Sequence, residues 1–188
     1  GYGWIFPKRS HLSVGIFHAK DQKNLDIKEL LRRFIACQPI LRQGEIRHLQ
    51  GYRIPLGGKP QRLHTQRCLL VGDAANLADP WFGEGIFYAV RSANLAAQVI
   101  GKAMQNGSND LSEYTRLVDE EIIRDFKYSR RVGKIVYRIP RLATTLISRS
   151  PMMQQAVFHN IRGDLSFEQL WNKLKKNVFT IFIQGLFF

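Results

Sequence analysis

The chain has 188 residues, 45% of them apolar, with three Trp and twelve Phe, which is enough to close a core and excludes a disordered chain. Its 28 Lys and Arg against 15 Asp and Glu give a formal charge of +13, a bias towards phosphate, nucleic acid or acidic lipid, or else a solvated basic helix surface. No segment holds the ~18 uninterrupted apolar residues of a spanning helix, and Cys37 and Cys68, far apart in the chain, predict a reduced, cytoplasmic-side protein with no cysteine-metal spacing.

Residues 2–6 and 12–17 are aromatic and β-branched runs joined by Pro7-Lys8-Arg9-Ser10-His11, the pattern of a hairpin with a longer loop. The opening Gly1-Tyr2-Gly3-Trp4 reads as the inside of a strand, with no Met before it, so a piece of a longer protein is expected. Asp26 caps an apolar period at Ile27, Leu30, Leu31, Phe34 and Ile35 that stops before Pro39, which predicts a short amphipathic helix. Residues 51–58 predict another short strand with turn residues behind it, and Pro60 keeps the chain irregular until Gln66.

Cys68-Leu69-Leu70-Val71 predicts a buried strand ending at Gly72-Asp73, and Ile86, Ala89, Val90, Ala93, Ala96, Ala97, Ile100 and Met104 then recur at helical spacing until Asn106-Gly107. Small residues on that helix suit close packing on a sheet. Asp110 and Glu113 form a capping-box pattern for a long helix through Tyr114, Leu117, Val118, Ile122 and Phe126, reaching Tyr137 before Pro140. Ser150-Pro151 opens a further helix closed by Gly163, and Ser166 with Gln169 opens the last, through Phe167, Leu170 and Leu174. The end, residues 178–188, is strongly apolar, short of a span, and suited to the core or to a bilayer surface.

Chemistry concentrates between residues 72 and 86. Asp73 follows a glycine at a strand end, where a carboxylate accepts ligand hydroxyls; helix capping is an equally good reading of that residue alone. Gly83 and Gly85 flank Glu84 where the next helix begins, opening backbone N–H groups towards a ligand. Together they suit a polyhydroxylated ligand that carries or develops negative charge, and a flavin nucleotide is one. A helix end worth ~1–2 kcal/mol against reduced flavin raises a two-electron potential by roughly 20–40 mV. His11, His18, His48, His64 and His159 show no i, i+4 pairing or carboxylate partner in sequence, so no metal site is expected. Ser10-His11 reads as turn chemistry, and Arg130-Arg131 and Lys175-Lys176 lack the interleaved aromatics of a single-strand nucleic-acid binder.

The run Gly72-Asp73-Ala74-Ala75, Asp79-Pro80, Gly83-Glu84-Gly85-Ile86 and Tyr88-Ala89-Val90-Arg91-Ser92 resembles the second flavin-binding motif of the geranylgeranyl reductase family, within the hydroxylase-type FAD-dependent oxidoreductases. Tyr2-x-Trp4-x-Phe6-Pro7, followed after seven residues by Gly15, is similar to that family's isoprenoid-pocket motif, and residues 54–58 and 163–167 resemble further family segments. The sequence departs from the family at Asn76, where glycine is commoner, at Phe82, where a small hydroxyl residue is commoner, and at Gly15-Ile16-Phe17; it contains no G-x-G-x-x-G behind a strand.

The resemblance implies an α+β fold, part of a two-domain FAD-binding flavoprotein: residues 1–66 ending a substrate-binding sheet domain, 67–106 the last strand and helix of the FAD domain, and 107–188 a helical carboxyl-terminal region. It implies FAD held through Gly72, Asp73, Ala74, Pro80, Gly83, Glu84, Gly85 and Ile86, and a polyprenyl substrate lying on Tyr2, Trp4, Phe6, Pro7 and Gly15. Plain sheet core is the competing reading of that aromatic set. The implied reaction is reduction of prenyl C=C bonds of a lipid-like substrate with electrons from NAD(P)H or a ferredoxin-like donor, in a cytoplasmic protein peripheral to a membrane; the catalytic acid stays unassigned. A flavin monooxygenase or halogenase, and a non-catalytic remnant of such a protein, are the alternatives.

Overall fold

The computed structural model describes residues 1–18, 25–57 and 61–187; Gly58 and Pro60 of the expected strand and turn, and Phe188, lie outside them. The chain is α+β, a two-stranded sheet followed mostly by helices, and divides into two compact units, Gly1–Arg53 and Ile54–Phe188.

In the first unit β1 (Tyr2–Pro7) and β2 (Leu12–Phe17) pair antiparallel with Trp4 opposite Gly15. The expected hairpin is present, one residue longer at Pro7. Because strand side chains alternate, Tyr2, Trp4 and Phe6 share one face and Gly3 and Ile5 the other. Helix α1 (Ile27–Ala36) covers the Gly3 face: Phe34 occupies the space that a Cβ at residue 3 would need. Asp26 caps α1 as expected, its carboxylate accepting from the N–H groups of Lys28 and Glu29 at 2.9 and 3.1 Å.

The second unit holds two cores. In one, α2 (Ile86–Gln105) sets Leu95 and Val99 against Tyr114 and Val118 of α3 (Ser112–Val118), with Leu77, Ile122 and Phe126 closing the cluster. The π-helical turn Asp119–Ile123 joins α3 to α4 (Arg124–Arg138). In the other core, Val132 of α4 meets Trp81, Ala156 of α6 (Pro151–Ile161) and Phe167 and Leu170 of α7 (Phe167–Lys176). Helix α5 (Pro140–Arg149) links α4 to α6 along the chain, and α8 (Val178–Phe187) ends the described chain.

The helix ends match the expectations at Asn106, Ser150, Gly163 and Ser166, where the complete capping box with Gln169 forms. Three expectations are corrected. Cys68-Leu69-Leu70-Val71 is not a buried strand: Cys68 is exposed, Leu70 and Val71 are 39% and 37% exposed, and Leu69 makes a lone antiparallel bridge to His64. A parallel strand needs neighbours to complete its ladder, and among the described residues none flanks it. Residues 51–57 form no strand either; Leu56 makes a single parallel bridge to Ala78. Asp110 does not open α3: its carboxylate turns the chain by accepting from Ser112 N–H at 2.9 Å, while Glu113 pairs with Lys102 and Arg116. Pro140, which reads as the end of the preceding helix, also fits a first helical turn, and there it starts α5.

Asp125 of α4 supplies a second cap to α7, accepting from Phe167 and Glu168 N–H at 3.0 and 2.9 Å. Asp125→Ala is expected to lower unfolding free energy by about 1–2 kcal/mol in urea denaturation, with Asp125→Asn recovering part of it; an unchanged midpoint for the alanine variant contradicts this role.

Candidate functional site

The site is a tight turn set against the start of a helix. Gly72–Ala75 forms a 3₁₀ turn that leaves through Asn76. Gly72 is buried with φ of +54°, and a Cβ there would stand 2.9 Å from the Ala89 methyl. Glycine is therefore required twice, by conformation and by the close passage of α2. Its N–H donates to the Ser92 hydroxyl at 3.0 Å, and that hydroxyl donates to the Ala89 carbonyl. Asn76 lies in the left-handed region at φ 52°, which asparagine tolerates best after glycine; the departure from glycine at this position costs little.

Asp73 and Ala74 face solvent. The Asp73 carboxylate has no hydrogen-bond partner among the described residues, and its Oδ1 lies 3.1 Å from where a Cβ on Gly85 would stand. Gly85 is the N-cap of α2, and among the described residues no side chain caps that helix start. A free carboxylate, an uncapped helix start and the gap left by Gly85 thus converge. The capping reading of Asp73 fails, because it bonds to none of the helix N–H groups. Gly83, at φ +73°, and exposed Glu84 shape the same turn, Ile86 is 82% exposed, and Pro80 packs where a Cβ on Gly57 would be.

What holds this turn was not apparent in the sequence. Asp79 is 1% exposed. Its Oδ1 accepts from Trp81 and Phe82 N–H at 3.1 and 2.6 Å, and its Oδ2 takes the Ser129 hydroxyl of α4. Its own backbone N–H donates to Glu84 O at 2.7 Å, and its carbonyl accepts from Gly83 N–H at 2.9 Å. Burial pushes the carboxyl up to about 6 against the pull of the Ser129, Phe82 and Trp81 donors, with the Glu84 charge adding to the rise. Two more α4 groups clasp this region: the Tyr137 hydroxyl donates to Trp81 O and the Arg130 guanidinium to Gly57 O. Phe82 stacks on Trp81 at 4.1 Å between ring centroids, against the second core. Ser129 stands 50 residues from Asp79, so no local pattern marks the pair; only Asp79 itself, an acid within an apolar run, was a signal.

In the first unit four of the expected substrate residues, Tyr2, Trp4, Phe6 and Gly15, share one surface, and Pro7, by the alternation of the strand, falls on the other. Trp4 lies across Gly15, where any side chain would collide with the indole. Tyr2 and Phe6 flank Trp4 at 6.2 and 6.3 Å and are 48% and 56% exposed. Pro7 is also exposed, and Gly15 is buried. The aromatic face is therefore not the face that packs on α1. Of the histidines, His159 does have a carboxylate partner, Asp164 Oδ2 at 3.2 Å, correcting the expectation of none; the turn at Gly163 brings them together.

No protein-family model matches the chain, and no solved structure matches it significantly. An uncharacterised protein of Methanosarcina barkeri is 33% identical over 175 residues, 93% of this chain and 44% of the relative. The chloroplastic geranylgeranyl diphosphate reductase of Arabidopsis thaliana is 32% identical over 142 residues, 73% of this chain and 30% of the relative. Digeranylgeranylglycerophospholipid reductase 3 of Methanosphaera stadtmanae is 31% identical over 143 residues, 73% of this chain and 36% of the relative. The chain spans less than half the length of each.

The Asp79 geometry yields a signed prediction. A carboxyl raised to about 6 on folding, from 3.8, contributes stability that is complete below pH ~3.8 and is lost as pH rises through ~6, a swing of about 3 kcal/mol. Asp79→Asn keeps the acceptor for both N–H groups and removes the titration. Relative to the parent, it is expected to gain about 2–3 kcal/mol between pH 4 and pH 8, read from urea midpoints, whereas Asp79→Ala loses about 2–4 kcal/mol at pH 7 by stranding buried donors. A parent-to-Asn difference that does not change with pH contradicts the buried charge.

Proposed function

This chain belongs to the geranylgeranyl reductase family, and from that premise we propose that it supplies one side of an FAD site and the aromatic wall of a prenyl-binding pocket. The complete protein, on this reading, reduces prenyl C=C bonds of a lipid-like substrate, taking electrons from NAD(P)H or a ferredoxin-like donor at a membrane surface. Residues 1–66 end its substrate domain, 67–106 close its FAD domain, and 107–188 form the helical region behind them. Bound FAD would supply the two-electron chemistry.

The observation that carries the reading is the Asp73 carboxylate, without a hydrogen-bond partner among the described residues, set against Gly85 at the start of α2. Asp73 binds: it accepts hydroxyls of the ribityl chain or the pyrophosphate side. Ala74 keeps the turn free of bulk, and Gly72 brings its backbone close. Gly83, Glu84, Gly85 and Ile86 present backbone N–H groups beside Pro80, where the positive helix end favours negative charge on the ring. Asp79 orients that backbone without facing the ligand. Tyr2, Trp4 and Phe6 exclude water from an apolar chain laid along the hairpin, Pro7 ends the strand beside them, and Gly15 lets Trp4 lie flat. The exposed aromatic face supports this over a core role, since α1 packs on the other side.

In the complete protein, Asp73→Ala is expected to raise the FAD Kd by about tenfold or more, the scale of hydrogen bonds to a charged acceptor, measured by flavin fluorescence titration. Trp4→Ala is expected to leave that Kd unchanged while raising KM for a prenyl substrate by about tenfold, followed by mass spectrometry of the reduced product. Unchanged FAD affinity in the Asp73 variant would contradict the flavin site; unchanged KM in the Trp4 variant would contradict the wall.

A further inference from the structure

We propose that α8, together with the lysine-rich end of α7, is a contact for an anionic lipid surface. In α8, Ile181 is 6% exposed, whereas Val178, Phe179 and Ile183 are 60%, 78% and 44% exposed. Phe179 and Ile183 stand two residues on either side of Ile181, so each lies about 200° around the helix from it. The helix therefore has an inner apolar side and an outer one, and Phe179 and Ile183 form an i, i+4 pair on the outer side.

The charge beside this face is of one sign. Lys173, Lys175 and Lys176 occupy the last turn of α7, and only Asn177 separates them from α8. Residues 169–188 contain no Asp or Glu. Lysines at a helix carboxyl end also complement its dipole, which explains their placement on α7 but not the exposed Phe179 next to them. No helix among the described residues is long and apolar enough to cross a bilayer. An apolar helix with no charged residue among 178–187, led in by lysines, fits the interface of a membrane, with the aromatic below the headgroups and the ammonium groups among anionic ones. A second copy of the chain is a poorer occupant, because a net charge of +13 opposes stacking two like surfaces.

The inference rests on the proposed function only for its purpose, access to a lipid-borne substrate; vesicle binding reads out without flavin or turnover, so either can fail alone. Purified protein is sedimented with phosphatidylcholine vesicles with and without phosphatidylglycerol, with light scattering for oligomeric state and circular dichroism for helicity. The bound fraction is expected to be several-fold higher on the anionic vesicles and to fall with salt. Lys173→Gln with Lys176→Gln is expected to lower partitioning by about tenfold, and Phe179→Asp to do the same with helicity unchanged; Phe179→Ser serves if the aspartate variant fails to fold. Equal partitioning to neutral and anionic vesicles, or a Phe179→Asp loss matched by dissociation of a dimer, would overturn the proposal.

Discussion

Asp79 is a carboxylate sealed from water and surrounded by donors. An ionised acid tolerates such burial only when its lone pairs are filled, and here Trp81 N–H, Phe82 N–H and the Ser129 hydroxyl fill them. The consequence is geometric. With Asp79 fixed to α4, its backbone closes on Gly83 and Glu84, and the chain is delivered to Gly85 in the orientation that starts α2 without a side-chain cap. Asp73 then meets that helix start with a carboxylate that no described residue bonds. Backbone N–H groups have no stiffness of their own, and the buried acid behind this turn supplies the stiffness that the proposed site requires.

The same division recurs on the hairpin. Gly3 and Gly15 do different work in neighbouring strands: Gly3 admits Phe34 and so fixes α1 to one face, and Gly15 admits the flat indole of Trp4 on the other. A two-stranded sheet cannot bury both faces with one helix, so the aromatic face stays open, which suits a wall that must meet an apolar chain.

Where a few neighbouring residues carry the whole signal, the fold was legible in the sequence. Asp26 before an apolar period, Ser150-Pro151, Gly163, and Ser166 with Gln169 each name a helix end, because capping is local chemistry. Two of the glycines singled out between residues 72 and 86, Gly72 and Gly83, have positive φ. Residues 68–71 carry a strand-like apolar run without forming a strand, because such a run describes an environment and the described residues place no neighbouring strands there. Asp110 and Glu113 matched a capping pattern that Asp110 satisfies one step early, as a turn. Pairs distant in sequence left no trace: Ser129 with Asp79, Tyr137 with Trp81, Ser92 with Gly72 and Asp125 with α7 all depend on packing that only the folded chain creates.

Hydrogen–deuterium exchange on the complete protein tests the central claim most directly. Adding FAD should slow exchange in the peptides spanning residues 72–76 and 83–88 while leaving the hairpin at 2–17 unchanged, and a prenyl lipid should then protect the hairpin. No FAD-dependent protection at 83–88 would contradict a flavin site built on the start of α2.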